Sequence, residues 1–267
     1  MSNSPIRLAV FDVDGTLVNA RHPLGDAQIH ALRGLHQAGI HVAIASSRQQ
    51  ASLVDIADAV GVPMHLIAFN GTLITDPARR TLDAADIAIP ATLADALARY
   101  VAAGGCVHIY TEQDWYAFGP DARINNEASG KDAAPGVRAA TLDPAVLPTR
   151  ALKLMCDGNI AALDDVRDTV AKHPEFVMSW SGTECYDIHA KDGTKGHALL
   201  KLCDILGIDP ADTAAFGDAD SDVTMLRNAG VGFAMGDAAQ AVLTAADRRL
   251  DAPGSGALEA LLAKWAS

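Results

Sequence analysis

The sequence predicts an α/β protein, a Rossmann-like parallel-sheet core with an inserted α+β cap domain. Strand-length apolar runs alternate with helical periodicity over roughly the first 75 residues, which implies a parallel sheet with right-handed crossovers. The middle of the chain mixes helical and antiparallel patterns, and strand–helix alternation resumes after Lys191-Asp192-Gly193. The division that follows is core 1–83, cap 84–190 and core 191–267.

Taken in order, Ile6–Phe11 reads as a buried strand, and Asp26–Ala38 as a helix with Ile29, Leu32 and Leu35 on one face, stopped by Gly39. His41–Ala45 is the next strand, Gln49–Val60 a helix ended by Gly61, and Leu66–Phe69 a third strand. Asn70-Gly71 is a turn signal, after which Thr72–Ile74 returns as a hairpin. In the cap, Ala91–Ala103 reads as helix, Cys106–Tyr110 as strand, and Asp114–Pro148 as irregular because of its prolines and glycines. Ala151–Cys156 is a strand and Ala161–His173 a helix, while Glu175–Trp180 and Glu184–His189 form a hairpin about Ser181-Gly182-Thr183. The core then resumes with the helix His197–Leu206 and the apolar segment Thr213–Phe216.

Bulk properties narrow the function classes. At 267 residues, 49% apolar and 20% charged, the chain has the make-up of a soluble globular protein. Its formal charge of −12 argues against nucleic acid or an anionic membrane as main partner, since both reward excess Lys and Arg. Cys106, Cys156, Cys185 and Cys203 form no CxxC and no metal spacing, so they read as free thiols in a reducing compartment. The N-terminal apolar run is too short for a signal-peptide core, and no stretch approaches the ~18 apolar residues of a membrane span. A cytoplasmic protein, monomer or homodimer, is expected.

Two acidic loops carry the chemistry. In Phe11-Asp12-Val13-Asp14-Gly15-Thr16-Leu17 two carboxylates leave the end of a strand, and strand periodicity places Asp12 and Asp14 on one side. Like charges about 4 Å apart repel by roughly 4 kcal/mol at an effective dielectric of about 20. A divalent cation offsets that cost, and an oxygen-only site favours magnesium. Phe216-Gly217-Asp218-Ala219-Asp220-Ser221-Asp222 likewise follows an apolar segment. Ligands of parallel α/β sheets sit outside the carboxyl ends of the strands, so the two loops can converge on one ion. Ser46-Ser47-Arg48 follows the second strand at a helix start, where hydroxyls and free N–H groups suit a phosphate, although a serine there also serves as an ordinary N-cap. Lys195 opens a helix, against the helix dipole, which a nearby phosphate or carboxylate would offset.

With Asp12-Val13-Asp14-Gly15-Thr16, Ser46 with Arg48, Lys195 and Gly217-Asp218…Asp222 in order, the chain resembles the haloacid dehalogenase-like hydrolase superfamily. Asn70-Gly71, the position of the cap, Gly193-Thr194-Lys195-Gly196 and Ala234-Met235-Gly236 resemble its Cof-type, class IIB branch, whose cap is of the C2B type. The resemblance implies a magnesium-dependent phosphatase acting on a small phosphorylated metabolite, with sugar phosphates foremost, through an aspartyl-phosphate. It makes Asp12 the nucleophile and Asp14 the general acid and base. Asp12, Asp14 (by its carbonyl), Asp218 and Asp222 hold Mg2+, Asp222 directly or through water. Ser46 and Lys195 grip the phosphoryl oxygens, and Ser47, Arg48, Asn70 and Gly71 complete the phosphate and substrate contacts. The alternatives are a phosphohexomutase on the same scaffold and a non-catalytic metabolite-binding protein.

Three positions depart from the branch: Ser47 stands in place of glycine, Ser221 in place of asparagine, and Asp237 where asparagine is common. None removes a catalytic group. In the cap, Trp115, Tyr116, Arg123, Asn125, Asn126 and Trp180 are candidates to line a polar pocket, though aromatic residues of this kind also serve as core.

Overall fold

The computed structural model describes residues 5–19, 22–129, 134–180, 184–236 and 238–267. Asp237 and Ser181-Gly182-Thr183, about which the sequence reads a hairpin, lie outside the described residues. The chain forms two compact units, one of residues up to Ala84 and from Gly193 onward, the other Ala85–Asp192.

The first unit starts with β1 (Leu8–Phe11), α1 (Asp26–Gln37), β2 (His41–Ala45), α2 (Gln50–Val60), β3 (Met64–Ala68), β4 (Leu73–Thr75) and β5 (Thr81–Ala84). The second unit holds β6 (Ile87–Ala88), α3 (Ala91–Ala102), β7 (Cys106–Tyr110), β8 (Trp115–Phe118), α4 (Asp121–Ser129) and β9 (Val137–Ala139). It continues with β10 (Arg150–Ala151), β11 (Lys153–Asp157), α5 (Asp164–Val170), β12 (Phe176–Trp180) and β13 (Cys185–Ala190). The chain then returns to the first unit with α6 (Lys195–Leu206), β14 (Thr213–Gly217), α7 (Val223–Asn228), β15 (Val231–Met235), α8 (Gln240–Ala245), β16 (Arg248–Leu250) and α9 (Ala257–Trp265). Among the described residues, no helix is long and apolar enough to cross a membrane.

In the first unit an eight-stranded sheet runs β16-β15-β14-β1-β2-β3-β4-β5. It is parallel from β16 to β3, with β4 and β5 antiparallel at one edge. β1, β3 and β14 are buried along their whole length, as expected for parallel strands covered on both faces. β1 lies between β2 and β14, where the order of connection reverses, and such a switch point opens a crevice at the carboxyl ends of the strands. Phe11, Phe216 and Phe233 stack across β1, β14 and β15 with centroids 4.6 and 4.8 Å apart. Phe11 and Phe216 immediately precede the two acidic loops.

The second unit pairs its strands in the order β12-β13-β11-β7-β8-β9. Leu93, Leu97 and Tyr100 of α3 and Val166 and Val170 of α5 pack with Val107, Ile109, Leu154, Cys156 and Ile188. The irregular reading of Asp114–Pro148 is corrected here. β8 forms a hairpin with β7, α4 follows, and β9 adds a parallel edge strand. Trp115-Tyr116-Ala117-Phe118 has the residues of a strand, but the flanking turn residues masked it. The helix read over Ala161–His173 is shorter: a 3-10 turn at Ile160–Ala162 leads into α5.

His65 is buried on β3, and burial holds its imidazole below the ordinary 6.5, with the charge of His41 acting in the same direction. The folded chain keeps this group neutral while the unfolded chain protonates it. Its contribution is therefore complete above pH 6.5 and is lost as the pH falls toward the folded value. Relative to a His65→Gln variant, the protein should lose stability on acidification from about pH 7 to 5.5, as read from paired urea titrations. Parallel curves would refute the assignment.

Candidate active site

The site is built at the carboxyl ends of β1, β2 and β14. Asp12 follows β1, and its backbone N–H donates to the carbonyl of Phe216, extending the β1–β14 ladder by one bond. Its side chain is buried, and Lys195 Nζ lies 2.6 Å from Asp12 Oδ1 and 2.6 Å from Asp222 Oδ1. Lys195 is only 2% exposed. It opens α6, whose N-cap Thr194 accepts from the His197 N–H. The charge that opposes the helix dipole is thus offset by two carboxylates of the chain itself. Burial works against that charge, yet Asp12 and Asp222 together raise the Lys195 pKa above the usual lysine value.

Asp222 has both oxygens committed. Oδ1 accepts from Lys195, and Oδ2 accepts from the backbone N–H groups of Asp218 and Ala219 at 3.0 Å each. Asp222 therefore ties Lys195 to the loop after β14. Asp218 lies over the Asp14-Gly15 turn, and Thr16 Oγ1 donates to its Oδ1 at 3.3 Å. Gly15 has φ +93°, and a Cβ there would collide with the Asp218 carboxylate, so the turn accepts only glycine. Thr16 was given no role in the sequence reading; its place beside the first acidic pair was the available signal.

Asp12 meets Lys195, and Asp14 is not part of the carboxylate cluster that Asp12 forms with Asp218 and Asp222. β1 ends at Phe11, so the alternation does not extend through both residues. Asp14 instead receives a two-pronged pair from Arg48, Nε to Oδ2 at 2.8 Å and Nη2 to Oδ1 at 2.5 Å. Each acid has its own counter-ion, which lowers the repulsion invoked above.

Asp12, Asp218 and Asp222 each place a carboxylate oxygen within 4.8 Å of the others. Burial pushes the Asp12 carboxyl up to about 7, Lys195 opposes the shift, and Asp222 and Asp218 add to it. Burial likewise raises Asp218, with Asp222 reinforcing it. Asp12 Oδ2 is buried without a hydrogen-bond partner. With all three carboxylates ionised, one ammonium leaves an excess of two negative charges in a cluster of oxygen donors, which is part of why Asp12 and Asp218 hold their protons more tightly. That donor set and that charge suit a hard divalent cation.

Ser46 is buried, and its Oγ accepts from the Arg48 N–H at 3.2 Å. Ser47 is exposed. Neither serine caps α2, which begins at Gln50 with Gln49 at the N-cap position, so the N-cap reading does not hold. The Ser46–Arg48 loop is laced to the turn after β3 by Asn70 N–H to Ser46 O at 2.8 Å and Phe69 N–H to Arg48 O at 2.9 Å. Phe69 and Asn70 are both left-handed, with φ 50° and 62°, a conformation that costs non-glycine residues energy and persists where the surroundings enforce it. Gly71 follows with φ +115°, and a Cβ on it would strike the carbonyl of Thr194. The Asn70-Gly71 turn is thus the abutment against which the Lys195 end of α6 rests. Ser221 is exposed, and the Asp222 contacts do not involve it.

Within the second unit, Trp115 is 6% exposed and donates from Nε1 to His108 Nδ1 at 3.2 Å, so it is core. Arg123 pairs with Asp157 and Glu184 at 2.9 and 2.8 Å. Asn125 accepts from Arg138, and Asn126 is exposed. Tyr116 is half-buried against the apolar core. Trp180 is 53% exposed and packs edge-on against Tyr186. These residues are not gathered into one pocket.

Comparison with known proteins relates most of the chain to one family. A family model described as haloacid dehalogenase-like hydrolase matches residues 9–256. An HMP-PP phosphatase of Cronobacter sakazakii is 31% identical over 235 residues, covering 87% of this chain and 85% of that protein. One from Yersinia pseudotuberculosis is 30% identical over 240 residues, covering 87% and 84%. A solved haloacid dehalogenase-like hydrolase from Bacteroides thetaiotaomicron has the same fold at 20% identity, with TM-score 0.83 and coverage of 97% and 99%. A subclass IIB sugar phosphatase has it at 22% identity, with TM-score 0.79 and coverage of 97% and 98%. The chain belongs to the haloacid dehalogenase-like hydrolases. It is an enzyme, a phosphoric monoester hydrolase.

Because Gly71 meets the Thr194 carbonyl, Gly71→Ala should cost about 2 kcal/mol of stability from its left-handed strain alone. It should also weaken inorganic phosphate binding by displacing Lys195. Urea denaturation and phosphate titration of the same sample check both effects, and a variant as stable as the parent would refute the abutment.

Proposed function

We propose that the chain is a magnesium-dependent phosphatase of small phosphorylated metabolites, sugar phosphates among them, that works through a phosphorylated Asp12. The observation that carries this reading is the Asp12 side chain, buried at the sheet's switch point with Oδ1 on Lys195 and Oδ2 unpartnered. A carboxylate so placed has one oxygen held and the other free to attack. The relatives named HMP-PP phosphatase support phosphate-ester chemistry and put that substrate among the first to assay.

In the first step Asp12 Oδ2 forms a bond to phosphorus as the ester bond to the leaving oxygen breaks, and Asp14 gives that oxygen a proton. In the second, Asp14 takes a proton from water, whose oxygen displaces Asp12 and releases inorganic phosphate. Splitting hydrolysis this way replaces one hard step by two easier ones. Arg48 grips both oxygens of Asp14, so it must release one for either proton transfer. Lys195 neutralises charge on the transferring group, and Ser46 with the N–H groups of its loop orients it, since phosphoryl transfer is chiefly a matter of positioning and electrostatics. Asp12 and Asp218 would hold magnesium by carboxylates and Asp14 by its carbonyl, with Asp222 supporting from behind. When bound, the ion supplies the positive charge that lets an anionic nucleophile approach an anionic phosphate. Asn70 and Gly71 act by holding the Ser46 loop and α6 in register.

The test is phosphate release from HMP-PP, sugar phosphates, nucleotides and pyridoxal phosphate, with magnesium and with chelator. Release should require magnesium, and Asp12→Asn should fold normally while kcat falls by at least about a thousandfold. An unchanged kcat in Asp12→Asn would overturn the mechanism. Transfer of the phosphoryl group to a second sugar instead of water would identify a mutase.

A further inference from the structure

Lys195 is carried by the helix it opens, so whatever fixes the first turn of α6 also fixes the ammonium. The N–H groups of that turn have no acceptor within the helix, and a buried N–H left unpaired is costly. Thr194 meets one of them, accepting from the His197 N–H at 3.2 Å. The N–H of Gly196, a buried residue, is met from outside the helix. It donates to Thr224 Oγ1 of α7 at 3.2 Å.

At this point α7 comes too close for α6 to carry any side chain. A Cβ on Gly196 would lie 2.6 Å from the carbonyl carbon of Thr224 and 2.7 Å from its Cβ and its carbonyl oxygen. Glycine weakens a helix relative to alanine, and here the close seat of α7 is what requires it. Two residues before Thr224, Asp222 Oδ1 accepts from Lys195 Nζ at 2.6 Å. The segment 222–224 therefore holds Lys195 at the tip of its side chain and, through Gly196, beside its backbone. On another side of the same turn, the Thr194 carbonyl rests on Gly71. Met225 and Leu226 of α7 pack with Ala198, Leu199 and Leu202 of α6, a contact that joins the helices without giving them a direction. The hydroxyl bond is directional, and it acts on the residue next to Lys195. Thr224 is otherwise exposed, where burial makes no demand on its side chain.

We propose that Thr224 is a positioning residue for Lys195, its hydroxyl fixing the turn from which the ammonium reaches the transferring phosphoryl group. This rests on the phosphatase reading and adds to it a residue that acts through α6 rather than on the substrate.

The experiment compares Thr224→Val, which keeps the branched shape and loses the acceptor, with Thr224→Ser, which keeps the acceptor. Magnesium is titrated alone and inorganic phosphate at saturating magnesium, both by calorimetry, and kcat/KM for p-nitrophenyl phosphate is measured on the same samples. Thr224→Val should bind phosphate about three- to tenfold more weakly, the size of one hydrogen bond to a buried donor. Its kcat/KM should fall by a similar factor. Its magnesium affinity should be unchanged, because Asp12 and Asp218 follow β1 and β14 and are not carried by α6. Thr224→Ser should bind phosphate as the unmodified protein does. If Thr224→Val does not fold, Thr224→Ala carries the same comparison, since alanine suits a helix and also lacks the hydroxyl. Phosphate binding undiminished by loss of the hydroxyl overturns the proposal. An equal loss of phosphate and magnesium affinity marks a structural role and overturns it too, as does a Thr224→Ser variant no better than Thr224→Val. An unmodified protein that releases phosphate from no ester overturns the phosphatase reading itself, and the proposal with it.

Discussion

The interaction on which the catalytic unit depends is the Lys195 ammonium held between Asp12 and Asp222. It joins three segments remote in sequence: the end of β1, the start of α6 and the loop after β14. Each group is too costly to bury alone. Asp222 can be wholly buried because Lys195 and two backbone N–H groups satisfy both its oxygens. Lys195 can sit at a helix N-terminus because two carboxylates outweigh the helix dipole. The arrangement is over-determined, and that is how a site keeps its geometry while holding excess negative charge.

The same economy of counter-ions separates the two acids of the first loop. Asp12 is buried with a lysine, while Asp14 is 55% exposed at its side chain and held by an arginine. The difference fits the roles proposed for them, a nucleophile that must stay fixed and a proton carrier that must move. Arginine presents a planar fork that matches a carboxylate. A fork is strong enough to park Asp14 and weak enough at a half-exposed site to be exchanged for a substrate contact, since solvent screens the pair.

The two units treat polar burial differently. In the catalytic unit the buried charges converge at the ends of parallel strands, where loops meet. In the cap, the charged pair Lys153 and Asp187 lies within strands, on the sheet face away from α3 and α5. A strand places every second side chain on one face, so one sheet can be apolar core on one side and carry a buried ion pair on the other.

The α/β class was legible in the sequence, as were β1, β2, β3, β14, α1, α2 and α6 of the first unit, and Asp12, Asp14, Ser46, Arg48, Lys195, Asp218 and Asp222 stood out as candidates. Parallel strands need long apolar runs, helices need a 3.6-residue stripe, and catalytic groups must follow strand ends; each requirement is local and leaves a mark. Three things were not legible. The strand Trp115–Phe118 and helix Asp121–Ser129 lay among turn residues whose local signal outweighed a short pattern, and only pairing with Cys106–Tyr110 resolves them. The close approach of Gly71 to Thr194 was another, because it is a packing fact between residues over a hundred positions apart. Lys153 and Asp187 carry no motif at all, since any lysine or aspartate reads as surface until the fold buries it. The sequence by itself determined which chemical groups exist and at which strand ends they emerge. Only the tertiary structure decided which carboxylate meets which cation, because that pairing is set by long-range contact and by exclusion of water, neither of which is written in local periodicity.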